Sequence, residues 1–222
     1  MRKSFFSLIA CLFLFAQSFA QSNESLPRFS IRGSCAIPKI IGSEAFRISF
    51  LGVYDAGLSF NYRLGTKTTI GLGYKNTLFN TTSFFKAKDL STKLYVHDGF
   101  LRFGYDYMSG PKSFLSFSVN GGYSLGQYTS VRAIRDTLNG KYPTQFGTMF
   151  LRPEFSANFL IESNFAFGVV LAYNMMLTSY DPNLNCFATY ETFSKYRNKV
   201  NMGWISFGFN FYYGPKKKKA AN

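Results

Sequence analysis

His97 is the only histidine in a chain of 222 residues, so imidazole chemistry would have to run through one position. A histidine acting as general base needs a nucleophile held within hydrogen-bond reach. His97-Asp98-Gly99 places an acid beside the ring, but no serine is singled out as its partner. Metal binding is no better served. Beyond the N-terminal segment that carries Cys11, Cys35 and Cys186 lie far apart, and two cysteines with one histidine make no metal-ligand spacing. The many Gly-x-Gly pairs fall inside apolar alternations, so no glycine-rich loop cradles a phosphate and no cofactor is expected. Charged residues embedded in apolar surroundings remain: Arg63, Lys75, Arg102, Asp106, Arg152 and Glu154. In a confined space such residues must neutralise one another.

The elements that hold these charges announce themselves by period two. Ile205, Phe207, Phe209, Phe211 and Tyr213 alternate with Ser206, Gly208, Asn210 and Tyr212. One face is apolar and aromatic, the other mostly small or polar, the signature of a strand with two different neighbours. Phe165 to Leu177 and Leu115 to Leu125 repeat the pattern. Tight turns are expected at Gly65-Thr66-Lys67, Ser109-Gly110-Pro111-Lys112 and Glu162-Ser163-Asn164. Longer, more polar connections are expected at Ala36–Phe46, Phe79–Thr92, Gln127–Phe146 and Thr178–Lys199.

Eight strands result: Arg28–Cys35, Ala56–Leu64, Thr68–Leu78, Gly99–Tyr107, Ser113–Gly126, Gly147–Ile161, Phe165–Leu177 and Val200–Tyr213. Arg47–Tyr54 either extends the second strand or forms ordered loop, and Pro153 argues for a bulge or local break. Long and short connections alternate, as in a transmembrane β-barrel with short periplasmic turns and long extracellular loops. The expected fold is therefore an all-β, eight-stranded antiparallel transmembrane barrel over residues 21–213.

Composition agrees. Aromatics make up 19% of the chain, with 27 Phe and 15 Tyr, while charged residues reach only 16%, against about 25% in soluble domains. No apolar run long enough for a transmembrane helix follows the N-terminus. Residues 1–20 read as a signal peptide: Arg2 and Lys3, an apolar core from Phe5 to Ala16, then Ser18-Phe19-Ala20. Leu8-Ile9-Ala10-Cys11 offers a rival, lipoprotein-type cleavage. Of the net charge of +14, Arg2 and Lys3 supply two. The remainder lies largely in turns, loops and the tail at 214–222, which carries Lys216 to Lys219. In an exported chain, outer-membrane lipid and lipopolysaccharide are expected counter-charges rather than nucleic acid.

The small, sparsely charged face, with Asp55, Gly57, Ser59, Asn61 and Arg63 on one strand and Ser116, Ser118, Asn120 and Ser124 on another, suits a cramped lumen. Eight strands enclose only enough space for side chains to fill. The six charged residues named above are thus expected to form a structural lumenal network. Tyr62, Tyr74, Tyr107, Tyr123, Tyr173 and Tyr213, expected near strand ends, would form interfacial girdles. A lipocalin-like soluble barrel around an apolar ligand is the alternative architecture.

The run Tyr54 to Leu64, the hairpin into Ile70-Gly71-Leu72-Gly73-Tyr74 and the closing Trp204 to Tyr213 resemble the Bacteroidetes-type outer membrane protein β-barrel domain family, which includes PorT-like proteins. The resemblance implies a non-enzymatic surface, envelope or secretion-accessory role. It also implies that Ile205, Phe207, Phe209, Phe211 and Tyr213 serve as a signal for the barrel-assembly machinery, although Gly214 to Asn222 follow the final aromatic. Some eight-stranded barrels modify lipid A with a His, a Ser and an acid. The deacylase pattern, however, wants a serine where this chain has Gly99. Cys35 is expected at the outer end of the first strand and Cys186 in the loop before the last, so either a disulfide or two thiols fits an oxidising envelope. Asp136-Thr137-Leu138 resembles a short O-glycosylation motif in an expected extracellular loop.

Overall fold

The computed structural model describes residues 26–82, 92–130, 145–162, 164–180 and 201–215. The segment 1–20, Asp136-Thr137-Leu138, Cys186 and Lys216 to Lys219 lie outside the described residues. In chain order the elements are β1 (Phe29–Ile40), a short helix α1 (Glu44–Ser49), β2 (Phe50–Leu64), β3 (Thr68–Thr81), β4 (Thr92–Gly110), β5 (Ser113–Ser130), β6 (Gln145–Glu162), β7 (Phe165–Ser179) and β8 (Asn201–Tyr213). Each strand pairs antiparallel with the next, and β1 pairs with β8, so the sheet closes into a barrel without a free edge.

The strands run 12 to 19 residues, against a usual length of about 5–6. Period two holds along them, with one change of phase in β2 between Phe50 and Asp55. On β4, Asp98, Arg102, Gly104 and Asp106 face inward, while Leu101, Phe103, Tyr105 and Tyr107 face outward. At the end bearing the short turns, Gly65 adopts φ 71°, a left-handed conformation in which a Cβ is costly.

Most departures from the expected strands lie at the other end. Ala36–Phe46 is not a long loop. Lys39 pairs with Ile205 and Ile40 with Trp204, so β1 continues five residues beyond Cys35. Its ladder with β2 stops at Ala36, just before Pro38, which has no N–H to donate. Across from that point β2 is irregular between Gly52 and Tyr54. A Cβ at Gly52 would strike the Pro38 carbonyl oxygen. Arg47–Tyr54 splits between the end of α1 and the start of β2. β3, β4 and β5 likewise extend into residues expected to be loop, because cross-strand pairing continues through polar positions such as Asn80↔Lys93 and Thr92↔Ser130. At Pro153 the β6–β7 ladder skips from Leu151↔Met175 to Glu154↔Ala172, the local break that proline at this position predicts.

Candidate functional site

The lumen is built in three tiers. The middle tier is ionic. Arg32 reaches both carboxylate oxygens of Asp106 through Nη2, at 2.9 and 2.7 Å, and Arg63 Nη2 donates to the same group at 2.6 Å. Arg32 Nη1 also donates to Ser116 Oγ at 2.7 Å, and its guanidinium lies 5.2 Å from the Tyr212 ring centroid. Lys75 Nζ sits 2.8 Å from Asp98 and donates to Asn174 Oδ1 at 2.7 Å, with Asp55 at 3.8 Å. Arg152 meets Asp55 at 3.2 Å and Glu154 at 3.3 Å, and Arg102 meets Glu154 at 2.7 Å. Ser206 donates to Asp55 and Ser124 to Asp98. The six charges expected in the lumen thus come together there.

Arg32, Asp55 and Asp98 complete the network without having been grouped with those six. Parity could have found the acids: Asp98 shares the inward phase of Arg102 and Asp106, and Asp55 that of Arg63. Arg32 needed the register, which sets it beside Ser59 and Tyr212.

Above this tier the inward face is apolar. Phe46, Phe50, Phe79, Leu94, Met176 and Trp204 are fully or almost fully buried in one cluster at the end bearing α1. Phe46, on α1, packs its ring 5.2 Å from Phe79 and 5.7 Å from Phe50. Thr82 fastens the helix by donating twice: its N–H to Ser49 O at 3.0 Å and its hydroxyl to Ile48 O at 2.8 Å. The expectation of a small, polar lumen is therefore corrected at this end. The barrel mouth offers aromatic side chains neighbours on all sides, and the same parity that carries Ser and Asn lower down carries Phe, Leu and Trp here. At the opposite end Leu26, Phe114, Ala166 and Tyr212 form a smaller cluster. Most of the ionic residues thus lie between two apolar clusters, while Arg63 reaches the short-turn end and donates to Pro27 O and Thr66 O.

The outer wall reverses the arrangement. Leu72, Leu101, Phe103, Phe117, Phe159, Phe167, Phe207 and Phe209 are exposed, Leu101 by 60%. All six tyrosines predicted for girdles face outward. Tyr62, Tyr107 and Tyr213 lie at or near the short-turn ends of their strands. Tyr74, Tyr123 and Tyr173 are not near strand ends as expected, because β3, β5 and β7 run six or seven residues beyond them. Phe207, Phe209, Phe211 and Tyr213 also point outward, and Ile205 is half-buried beside them.

His97 sits on this wall, five residues inside β4 rather than at its outer end. Tyr54 donates to Asn76 Oδ1 at 2.6 Å, which turns the Asn76 amide nitrogen toward His97 Nδ1 at 2.9 Å. An amide nitrogen only donates, so Nδ1 accepts and a neutral ring carries its proton on Nε2. Tyr74 Oη lies 2.6 Å from the same nitrogen, and Tyr74 and Tyr95 stack on the ring. The ring's hydrogen-bond partners among the described residues are thus a phenol and an amide, not a serine. Cys35 is exposed in mid-strand, opposite Ala56 and Phe209, and not at the end of β1. Among the described residues no group of three metal-ligating side chains occurs.

No family model matches the chain, and no curated protein matches it. Solved structures do. Neisserial surface protein A aligns with 82% of this chain and 95% of its own, at 12% identity and a TM-score of 0.53. Ail, the attachment invasion locus protein of Yersinia pestis, aligns with 85% and 99% at 10% identity and a TM-score of 0.48. OprG of Pseudomonas aeruginosa aligns with 86% and 98% at 12% identity and the same TM-score. The closed eight-stranded antiparallel barrel of this chain is the fold it has in common with the neisserial surface protein.

Proposed function

We propose that this chain is an integral outer-membrane barrel that conducts nothing and catalyses nothing, and that acts through the loops at its α1 end. The observation that carries this reading is the inverted wall. Apolar and aromatic side chains cover the outside of every strand while the inside holds the ions, an arrangement stable only with hydrocarbon around it. The outward tyrosines fall in two tiers, and Lys67 lies 5.9 and 5.7 Å from the rings of Tyr105 and Tyr107 at the short-turn end, as at a membrane interface. The two apolar layers closing the lumen support a non-conducting barrel. The lipocalin-like alternative is disfavoured, because the lumenal cavity measures only about 30 Å³, far below a ligand pocket of about 300 Å³ or more.

In this reading residues 1–20 direct export, the closing aromatics of β8 address the barrel-assembly machinery, and the short turns face the periplasm. Outer-membrane lipid and lipopolysaccharide surround the wall. The resemblance to PorT-like barrels supports a secretion-accessory or envelope role for the loops. The test is fractionation of cells expressing the full chain, with gel mobility compared before and after heating. An outer-membrane fraction with heat-modifiable mobility is expected, and release without detergent would overturn the reading. Purified barrel in planar bilayers is expected to give no steady conductance. Lipid A is expected to be unchanged by mass spectrometry when the gene is deleted.

A further inference from the structure

Among the described residues the lumen holds five cations and four carboxylates, and the surplus has an address. Lys75, Arg102 and Arg152 share three acids, Asp55, Asp98 and Glu154. Arg32 and Arg63 share one, Asp106. One positive charge is therefore left over at the Arg32 side of the network. A charge taken out of water without a partner is costly by several kcal/mol.

The hydrogen bonds point to the same place. Arg32, Arg102 and Arg152 are 5%, 4% and 3% exposed, yet Nε of Arg32, Nε of Arg102 and Nη2 of Arg152 make no hydrogen bond to a protein group among the described residues. All three side chains line one cavity of about 30 Å³ in the middle tier. Lys75, Asn120, Asn210 and Glu154, the last paired with Arg102 and Arg152, are also on its wall. That volume is about two water-sized probes, enough for a halide and too small for a carboxylic acid or a phosphate ester.

We propose that this cavity is a binding site for one small monovalent inorganic anion, of the size of chloride, held by Arg32, Arg102 and Arg152. The anion neutralises the surplus cation and accepts from the three partnerless guanidinium nitrogens, Nε of Arg32, Nε of Arg102 and Nη2 of Arg152. With both ends of the lumen closed by apolar clusters, it enters as the barrel folds and exchanges only when an end opens. The site is independent of what the loops do.

The test uses the full mature barrel refolded in detergent with bromide replacing chloride and crystallised in that salt. A single anomalous bromine peak in the cavity, in contact with these three arginines, is the expected result. No peak in the cavity, or water alone, overturns the proposal. Arg32→Gln removes the surplus cation and brings the lumen to neutrality while leaving Asp106 paired with Arg63, and the peak is expected to vanish. A peak of unchanged occupancy in that variant overturns the charge argument. If the variant fails to fold, thermal unfolding of the unaltered barrel decides. Chloride is expected to raise the midpoint by about 2–4 °C over gluconate, which cannot fit, at equal ionic strength. Equal midpoints count against the site.

Discussion

The two largest tiers of the lumen solve the same problem by opposite means. In the middle tier, Arg32–Asp106 joins residues 74 positions apart and Arg152–Asp55 joins residues 97 apart. Each pair is directional, so it is satisfied in one strand register only. At the α1 end, Phe46, Phe50, Phe79 and Trp204 contact one another through ring faces and edges, tilted to nearly perpendicular. Such contacts tolerate small adjustments, and they cost nothing when a partner is trimmed beyond the area lost and the cavity left. The ionic tier therefore sets which strands meet and at what register, while the aromatic tier closes the mouth. A barrel in lipid can keep ions inside because its apolar residues are needed outside.

That contrast can be broken at its most charged point. Asp106→Ala leaves Arg32 and Arg63 buried against each other, and is expected to cost about 3–5 kcal/mol, read as a lowered denaturant midpoint of the barrel refolded in vesicles. Replacing Arg32, Arg63 and Asp106 together with Met, Met and Leu is expected to restore most of that stability, since no buried charge remains unpaired. Failure to recover would mean that the triad supports the fold through more than charge balance.

In the aromatic tier, Phe46→Ala is expected to cost about 3 kcal/mol from the cavity it opens. The barrel below should keep its mobility shift, because no register depends on this ring. Loss of the folded form in that variant would erase the distinction between the tiers. On the outer wall, Leu101→Arg sets a cation among exposed apolar neighbours and is expected to cost about 2–4 kcal/mol in a bilayer. In detergent, where the belt can rearrange, the penalty should be smaller. The smallest effect is expected for Tyr74→Phe, which removes one hydrogen bond to His97 and costs about 1 kcal/mol or less, by the same vesicle unfolding.

Much of this is legible in the sequence. The alternation on β8 and β7 names the outward residues, and the parity of Arg63, Arg102 and Asp106 places them inside. The α1 end was not legible. Serine and proline around Ala36–Phe46 look like loop, yet β1 runs to Ile40 because β8 supplies partners through Trp204. Phe46 reads as a loop residue because nothing local shows that it enters a barrel mouth. Arg32 is not legible as part of the network because its acid, Asp106, lies on a strand that is not its neighbour in the sheet.

By itself the sequence determined the period of the strands away from the α1 end, the turns at the short end and the pairing of an apolar face with a polar one. These are properties of a residue and its near neighbours along the chain. Only the tertiary structure decided which cation meets which carboxylate, that the mouth is filled by aromatics and that one lumenal charge is left over. Those outcomes depend on closure, which brings residues from opposite sides of the barrel into one small space.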